Sequence, residues 1–399
     1  MHRIEVEQKG TYLRGAGRLT MDAIVGVIDI VESMHRRINT LGGLFAGGNL
    51  ERTTGLTGFV YSNIRAVTNL VGGGLDAALE SLEEEIGALE PAPGREALVA
   101  ALNGVIGDYL AKSNNPLAIT MQFRHQGEAA SLEREALKEA DGRVLLIIHG
   151  SSTTDLQWSR KGHDHGAALA EELGFVPLYL FYNSGRHISE NGSDLSNLLE
   201  KLVEEFPEVK ELTILSHSMG GLVSRSACHY GEKDQKSWRG LLKKIVFLAT
   251  PHHGALLERS GNLVDTALQV SPYSAPFARL GKIRSAGVTD LRYGNVCHKD
   301  WEGRERFKYG PDRRCPVPLP DGVECYAVAA TLGPGGGLLL DHIVGDGLVQ
   351  LKSALGHHDD PEMELGIPES HCFVVPYTNH LDVLSSSEVY DTLKVWLKN

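Results

Sequence analysis

Residues 212–224 read Leu212-Thr213-Ile214-Leu215-Ser216-His217-Ser218-Met219-Gly220-Gly221-Leu222-Val223-Ser224. An apolar run of strand type meets a tight turn of small residues and then a helix, and Ser218 falls at the bend. A serine there is held on a strained strand-to-helix turn with its hydroxyl above the sheet, and small flanking residues are needed because the two backbone arms nearly touch. The pattern is G-x-S-x-G with Ser216 in place of the first glycine, a mild departure because serine is also small. A helix beginning at Met219 directs free N–H groups and its positive dipole end at the nucleophile, where a tetrahedral oxyanion forms.

A second stretch, Val144-Leu-Leu-Ile-Ile-His-Gly-Ser-Ser152, is an apolar strand that ends in His149-Gly150. Gly150 permits a sharp turn, after which the Ser151 N–H can face the same oxyanion as the Met219 N–H.

Outward from these two points, short apolar runs alternate with helical patterns. Strands are expected at 144–148, 176–182, 212–215, 245–249, 325–330 and 373–375, and helices at 166–173, 194–206, 219–230 and 387–397. Runs buried on both faces and separated by helices predict a mostly parallel sheet with helices on both sides. Period-two alternation through Leu117, Ile119, Met121 and Phe123 predicts a strand or hairpin that introduces this domain. About 70 residues separate the strands ending near Ala249 and starting near Cys325, far beyond the usual connection, so a cap over the active site is expected at about 255–322. Before residue 115 the pattern is helical, with apolar stripes at 24–41, 60–89 and 98–110, so residues 1–115 are read as a helical N-terminal region and 116–399 as the catalytic domain.

Composition bounds the function. The chain has 399 residues, 42% apolar and 23% charged, which is globular composition. Acidic residues exceed basic ones, 51 against 39, so nucleic acid is an unfavourable partner. The five cysteines include no C-x-x-C pair, so neither a disulfide framework nor a thiolate zinc site is suggested, and buried reduced thiols are expected. The paired histidines His163 and His165, His252 and His253, and His357 and His358 lack a ligand spacing and read as hydrogen-bonding or surface residues. The N-terminus shows no basic stretch followed by an apolar run, and Asp22, Asp29 and Glu32 break the best apolar segment. No secretory signal or transmembrane segment is therefore expected, and the default location is cytoplasmic.

His149-Gly150, Ser216-His-Ser-Met-Gly-Gly, Ala249-Thr-Pro-His-His-Gly, Gly345-Asp-Gly-Leu-Val and Asn379-His-Leu-Asp occur in that order, and over residues 117–399 the sequence resembles the α/β-hydrolase superfamily. Within it the chain is most similar to bacterial lipases and esterases, and also to GPI inositol-deacylase-like hydrolases. The resemblance implies a triad acid after the strand that follows the cap and a base after the last strand. Asp346 matches the acid motif, with Asp341, Asp359 and Asp360 as competitors. His380 matches the base, whereas His371 precedes the last strand, and His357 and His358 are outside candidates. His149 precedes the nucleophile and is read as structural, because in this fold acid and base follow the serine. Some relatives carry a structural calcium, and Asp341 and Asp382 are suitably placed, but two carboxylates do not make a calcium site, so no metal and no cofactor is expected.

The reading is a serine carboxylic-ester hydrolase with Ser218, His380 and Asp346 as triad and the Ser151 and Met219 amides as oxyanion hole. Its expected substrates are small-molecule, lipid or polymer esters with hydrophobic acyl groups, polyesters included. The alternatives are an acyltransferase or thioesterase with the same triad, and a lipid- or polyester-surface binding protein that keeps the fold. Oligomeric state is left open.

Overall fold

The computed structural model describes residues 93–125, 127–130, 132–255, 284–308, 310–334 and 345–398. The stripes at 24–41 and 60–89, the cap residues 256–283 and Asp341 lie outside the described residues.

The centre is an eight-stranded sheet: β1 Gln122–His125, β2 Glu128–Ala129, β3 Arg143–Ile148, β4 Val176–Phe181, β5 Glu211–His217, β6 Leu242–Leu248, β7 Glu324–Ala330 and β8 Cys372–Val375. Its order is β2-β1-β4-β3-β5-β6-β7-β8. The β1–β2 hairpin is antiparallel and β1 joins β4 antiparallel, while all pairings from β4 to β8 are parallel. Strands β3 to β6 are buried along nearly their whole length, which only covering helices on both faces allow. Leu146, Ile148, Leu178, Leu180 and Ile214 point to one face and pack with Leu195, Leu199, Leu222 and Val223 of α3 (Ile188–Glu205) and α4 (Met219–Lys233). Leu145, Ile147, Leu215, Val246 and Leu248 point to the other, against Leu169, Leu393 and Leu397 of α2 (His165–Leu173) and α5 (Ser387–Leu397). This mostly parallel sheet with helices on both faces is the expected α/β architecture.

From β3 the chain moves outward to β4, then crosses back past β3 to β5 and continues to β6. The carboxyl ends of β3 and β5 therefore flank the point where the winding reverses, where open α/β sheets leave a crevice for ligands. Gly150 and Ser218 stand at those two ends.

The expected strand at 117–123 is only partly realised, since β1 spans 122–125. Asn103 takes the preceding backbone instead: its Nδ2 donates to the Leu117 carbonyl at 2.7 Å and its Oδ1 accepts the Ile119 N–H at 3.0 Å. Asn103 belongs to α1 (Pro93–Lys112), whose end runs are joined at a kink where Ile106 has φ −134°. This helix lies against the carboxyl edge of the sheet. Glu96 pairs with Arg124 of β1 at 2.8 Å, Asn183 Nδ2 donates to the Gly107 carbonyl at 2.9 Å, and Ser285 Oγ donates to the Gly104 carbonyl at 2.6 Å. No helix among the described residues is long and apolar enough to cross a membrane.

Gly104 is packed so closely on the loop after β3 that a Cβ there would lie 1.9 Å from Ser152 Oγ and 2.8 Å from Ser152 Cα. Gly104→Val should cost about 2 kcal/mol by overpacking and lower the melting temperature, whereas Gly240→Ala, with open space around its Cβ position, should not. Thermal denaturation followed by circular dichroism checks this, and an unshifted melt of Gly104→Val would contradict the docking of α1.

Candidate active site

The bend after β5 is set by three contacts. Ser218 has φ 53° and ψ −123°, a conformation rare for a residue with a side chain. Its N–H donates to the Leu248 carbonyl of β6 at 2.9 Å, and a Cβ at Gly220 would come within 2.7 Å of both the Ile148 and His149 carbonyl oxygens. Any larger residue at 220 would push β3 and α4 apart. Ser216, in the place of the motif's first glycine, is fully buried and donates from Oγ to the Val246 carbonyl at 3.2 Å, so its hydroxyl is satisfied inside the sheet.

Gly150 faces the same bend. A Cβ on it would lie 3.1 Å from Ser218 Cβ, so the loop after β3 passes directly beside the serine. His149 holds that loop: its Nδ1–H donates to the Gly150 carbonyl at 2.8 Å, and its ring stacks on Tyr182 at 4.4 Å. Ser152 is tied by its N–H to Ser184 Oγ at 2.9 Å. The N–H groups of Ser151 and Met219 donate to no partner among the described residues, which leaves two backbone donors beside a half-buried serine whose hydroxyl is also unengaged among them.

Asp346 and His380 come together from loops on the far side of the sheet. Asp346 Oδ2 accepts from His380 Nδ1 at 2.7 Å, with both side chains no more than 3% exposed. The other carboxylate oxygen accepts the N–H groups of Leu348 and Val349 at 2.9 and 2.8 Å, and the His380 N–H donates to the Asp346 carbonyl at 3.2 Å. Because a carboxylate only accepts, the proton sits on Nδ1, and Nε2 is left as a lone-pair acceptor.

The sequence reading overlooked His217. Its Nε2–H donates to the His380 carbonyl at 3.0 Å, and the two rings are 4.8 Å apart, so the residue before Ser218 fastens the loop that carries His380 to the bend that carries the serine. Its position between Ser216 and Ser218 was the available signal. Asn379 and Asp382 close the same loop, with Asn379 Nδ2 donating to Asp382 Oδ2 at 2.9 Å. Asp382 also pairs with Arg160 at 2.9 Å and Lys161 at 3.0 Å, so its charge is already answered by two cations.

The competing residues lie elsewhere. Asp359 pairs with Lys352 at the surface, Asp360 accepts from Glu362 in a turn, and His357 bonds Glu364 at 3.1 Å. His371 bonds the Cys325 carbonyl near the start of β7, the opposite end from His380. His163 and His165 bond one another at 2.8 Å, with His165 Nε2 donating to the Val383 carbonyl.

Burial keeps a group of histidines neutral. It pushes His149 and His165 down to about 4 and His253 to about 3, and it holds His217 and His252 well below the usual imidazole value. Folded values below the unfolded one mean that unfolding takes up protons between them. The stability these groups contribute is complete above about pH 6.5 and is lost as the pH falls toward 4. Urea titrations at stepped pH should show a steep fall across that window, and equal midpoints at pH 7 and 5 would contradict it.

A family described as a domain of unknown function, DUF7379, matches residues 115–287. A search of curated proteins finds no match. Among solved structures the chain is similar to a Bacillus licheniformis lipase in mature form, at 17% identity and TM-score 0.43 over 70% of this chain and 98% of that one. It is also similar to a lipase-esterase related protein from Clostridium acetobutylicum, at 11% identity and TM-score 0.36 over 69% and 99%, and to a thermophilic esterase from Thermogutta terrifontis, at 14% identity and TM-score 0.34 over 71% and 95%.

Proposed function

We propose that the chain is a serine carboxylic-ester hydrolase. The observation that carries this reading is the buried Asp346–His380 pair, whose imidazole proton faces the acid and whose loop is tied through His217 to the bend bearing Ser218. Ser218 Oγ attacks the ester carbonyl while His380 Nε2 takes its proton. The Ser151 and Met219 amides receive the charge that develops on the carbonyl oxygen, and Asp346 supports the imidazolium. His380 then passes the proton to the departing alcohol, and water releases the acid by the same steps in reverse order. The apolar composition of 256–280 in the cap favours hydrophobic acyl esters, polyesters among them, over small polar ones. We take residues 116–399 as the catalytic domain, with α1 docked on its carboxyl edge.

Kinetics on p-nitrophenyl esters of increasing chain length test the assignment. Ser218→Ala should lose several powers of ten in rate with an unchanged melting temperature, and a tenth of the wild-type rate remaining would overturn it. Asp346→Asn should lower kcat by roughly 10⁴ with KM little changed, since it leaves the imidazole in the wrong tautomer. A variant within tenfold of wild type would remove Asp346 from the triad.

A further inference from the structure

The described segment that precedes β7, within the expected cap at 255–322, carries two cysteines held by one carboxylate. Asp300 is 3% exposed, and its Oδ2 accepts the N–H groups of Val296 and Cys297 at 2.9 and 3.0 Å. Its Oδ1 accepts the N–H of Cys315 at 2.8 Å. In return the Cys297 sulfur accepts the N–H of Asp300, closing a capping box. A single side chain thus brings two backbone positions 18 residues apart in sequence to the same place, and the two sulfurs and a carboxylate oxygen all lie within 4.8 Å of one another. Cys297 is buried and Cys315 is half-buried, so Cys315 is the more exposed residue of the pair.

The chain enclosed between them holds two other elements. Trp301 stacks flat on His187 at 3.7 Å and donates from its indole N–H to Ser189 Oγ at 2.9 Å, at the start of α3. Arg306 pairs with Asp108 of α1. The same loop lines a cavity of about 410 Å³ with Arg304, Lys308 and Arg313 on its wall.

We propose that Cys297 and Cys315 are a dithiol pair that closes to a disulfide, a modification site that ties off the loop 298–314. The oxidant is a low-molecular-weight disulfide such as oxidised glutathione. The Cys315 thiolate attacks one of its sulfurs, forming a mixed disulfide and releasing one glutathione thiol. Cys297 then attacks the Cys315 sulfur and releases the second, so two protein thiols are oxidised, one disulfide is reduced, and both protons end on the two released thiols. Asp300 holds both backbones throughout, and the two sulfurs start within 4.8 Å of one another, so the approach to bonding distance is short.

A metal is the other chemistry that two sulfurs and a carboxylate invite. Here both Asp300 oxygens already accept backbone N–H groups, and the cluster offers three ligands where a structural zinc takes four. Burial and the neighbouring Asp300 carboxylate push the Cys297 thiol well above its usual range, which disfavours the standing thiolate a bound metal needs; the second attack needs that thiolate only in passing, so the shift slows closure without blocking it. A disulfide places no charge there.

The test treats the full chain, purified under reductant, with oxidised glutathione, and reads intact mass, thiols titrated after denaturation, and peptides from a non-reducing digest. The expected result is a loss of two hydrogens in mass, a fall from five thiols to three, and a linked peptide pair containing Cys297 and Cys315. The oxidised protein should also melt at a higher temperature, because closure restricts the unfolded chain. Cys297→Ser and Cys315→Ser should each abolish the link, whereas Cys372→Ser should keep it. Five thiols after oxidation, a stable glutathione adduct without closure, a link to Cys228 or Cys325, or stoichiometric zinc that protects both thiols would each overturn the proposal. The wild-type digest decides the matter even if a serine variant fails to fold.

Discussion

The carbonyl oxygens at the end of β3 press on Gly220 so closely that no side chain fits there, and the rest of the site depends on that contact. It draws the start of α4 under the end of β3, so that the chain between β5 and α4 must turn within one residue. Ser218 takes the strain of that turn, with positive φ, and is anchored through its N–H to β6. The same contact brings Gly150 against the serine. Such strain persists only where surrounding structure over-determines it, and here three parallel strands and a buried helix start do so.

The other half of the site is assembled from residues more than a hundred positions downstream. Asp346 is presented by a tight turn whose own N–H groups, from Leu348 and Val349, occupy one of its oxygens, so only the other is free to address His380. His380 is in turn held by its backbone from two sides, to Asp346 and to His217. The imidazole is thereby held in one orientation, the preorganisation that the proposed role of His380 as base requires. The burial that orients these rings also keeps their neighbours uncharged, and that ties the integrity of the site to pH.

The features legible in the sequence were those with a short-range cause. Apolar runs marked β3 to β8 to within a few residues, and small residues around Ser218 marked the turn, because both patterns are local consequences of burial and close approach. Helix α3 begins at Ile188, six residues before its expected start at 194, because its first turns present polar Ser189 and Asn191 to the interior and hide the apolar period. Asn191 is buried because its Nδ2 meets the Asn183 carbonyl at 2.9 Å, a contact that no periodicity reveals. Asn103 interrupts the expected strand at 117 by the same kind of long-range side-chain bond. His217 and the pinning of Cys297 and Cys315 by Asp300 were hidden for that reason too, since each depends on which loops the sheet order makes neighbours.

The central claim is that Ser218 is a nucleophile activated by the His380–Asp346 pair. Labelling with a fluorophosphonate tests it most directly, because the reagent modifies only a serine that can attack and whose oxyanion is received. The account predicts one adduct per chain, mapped by peptide mass spectrometry to Ser218 and lost when His380 is replaced by alanine. An adduct on another serine, or undiminished labelling of Ser218 in that variant, would contradict it.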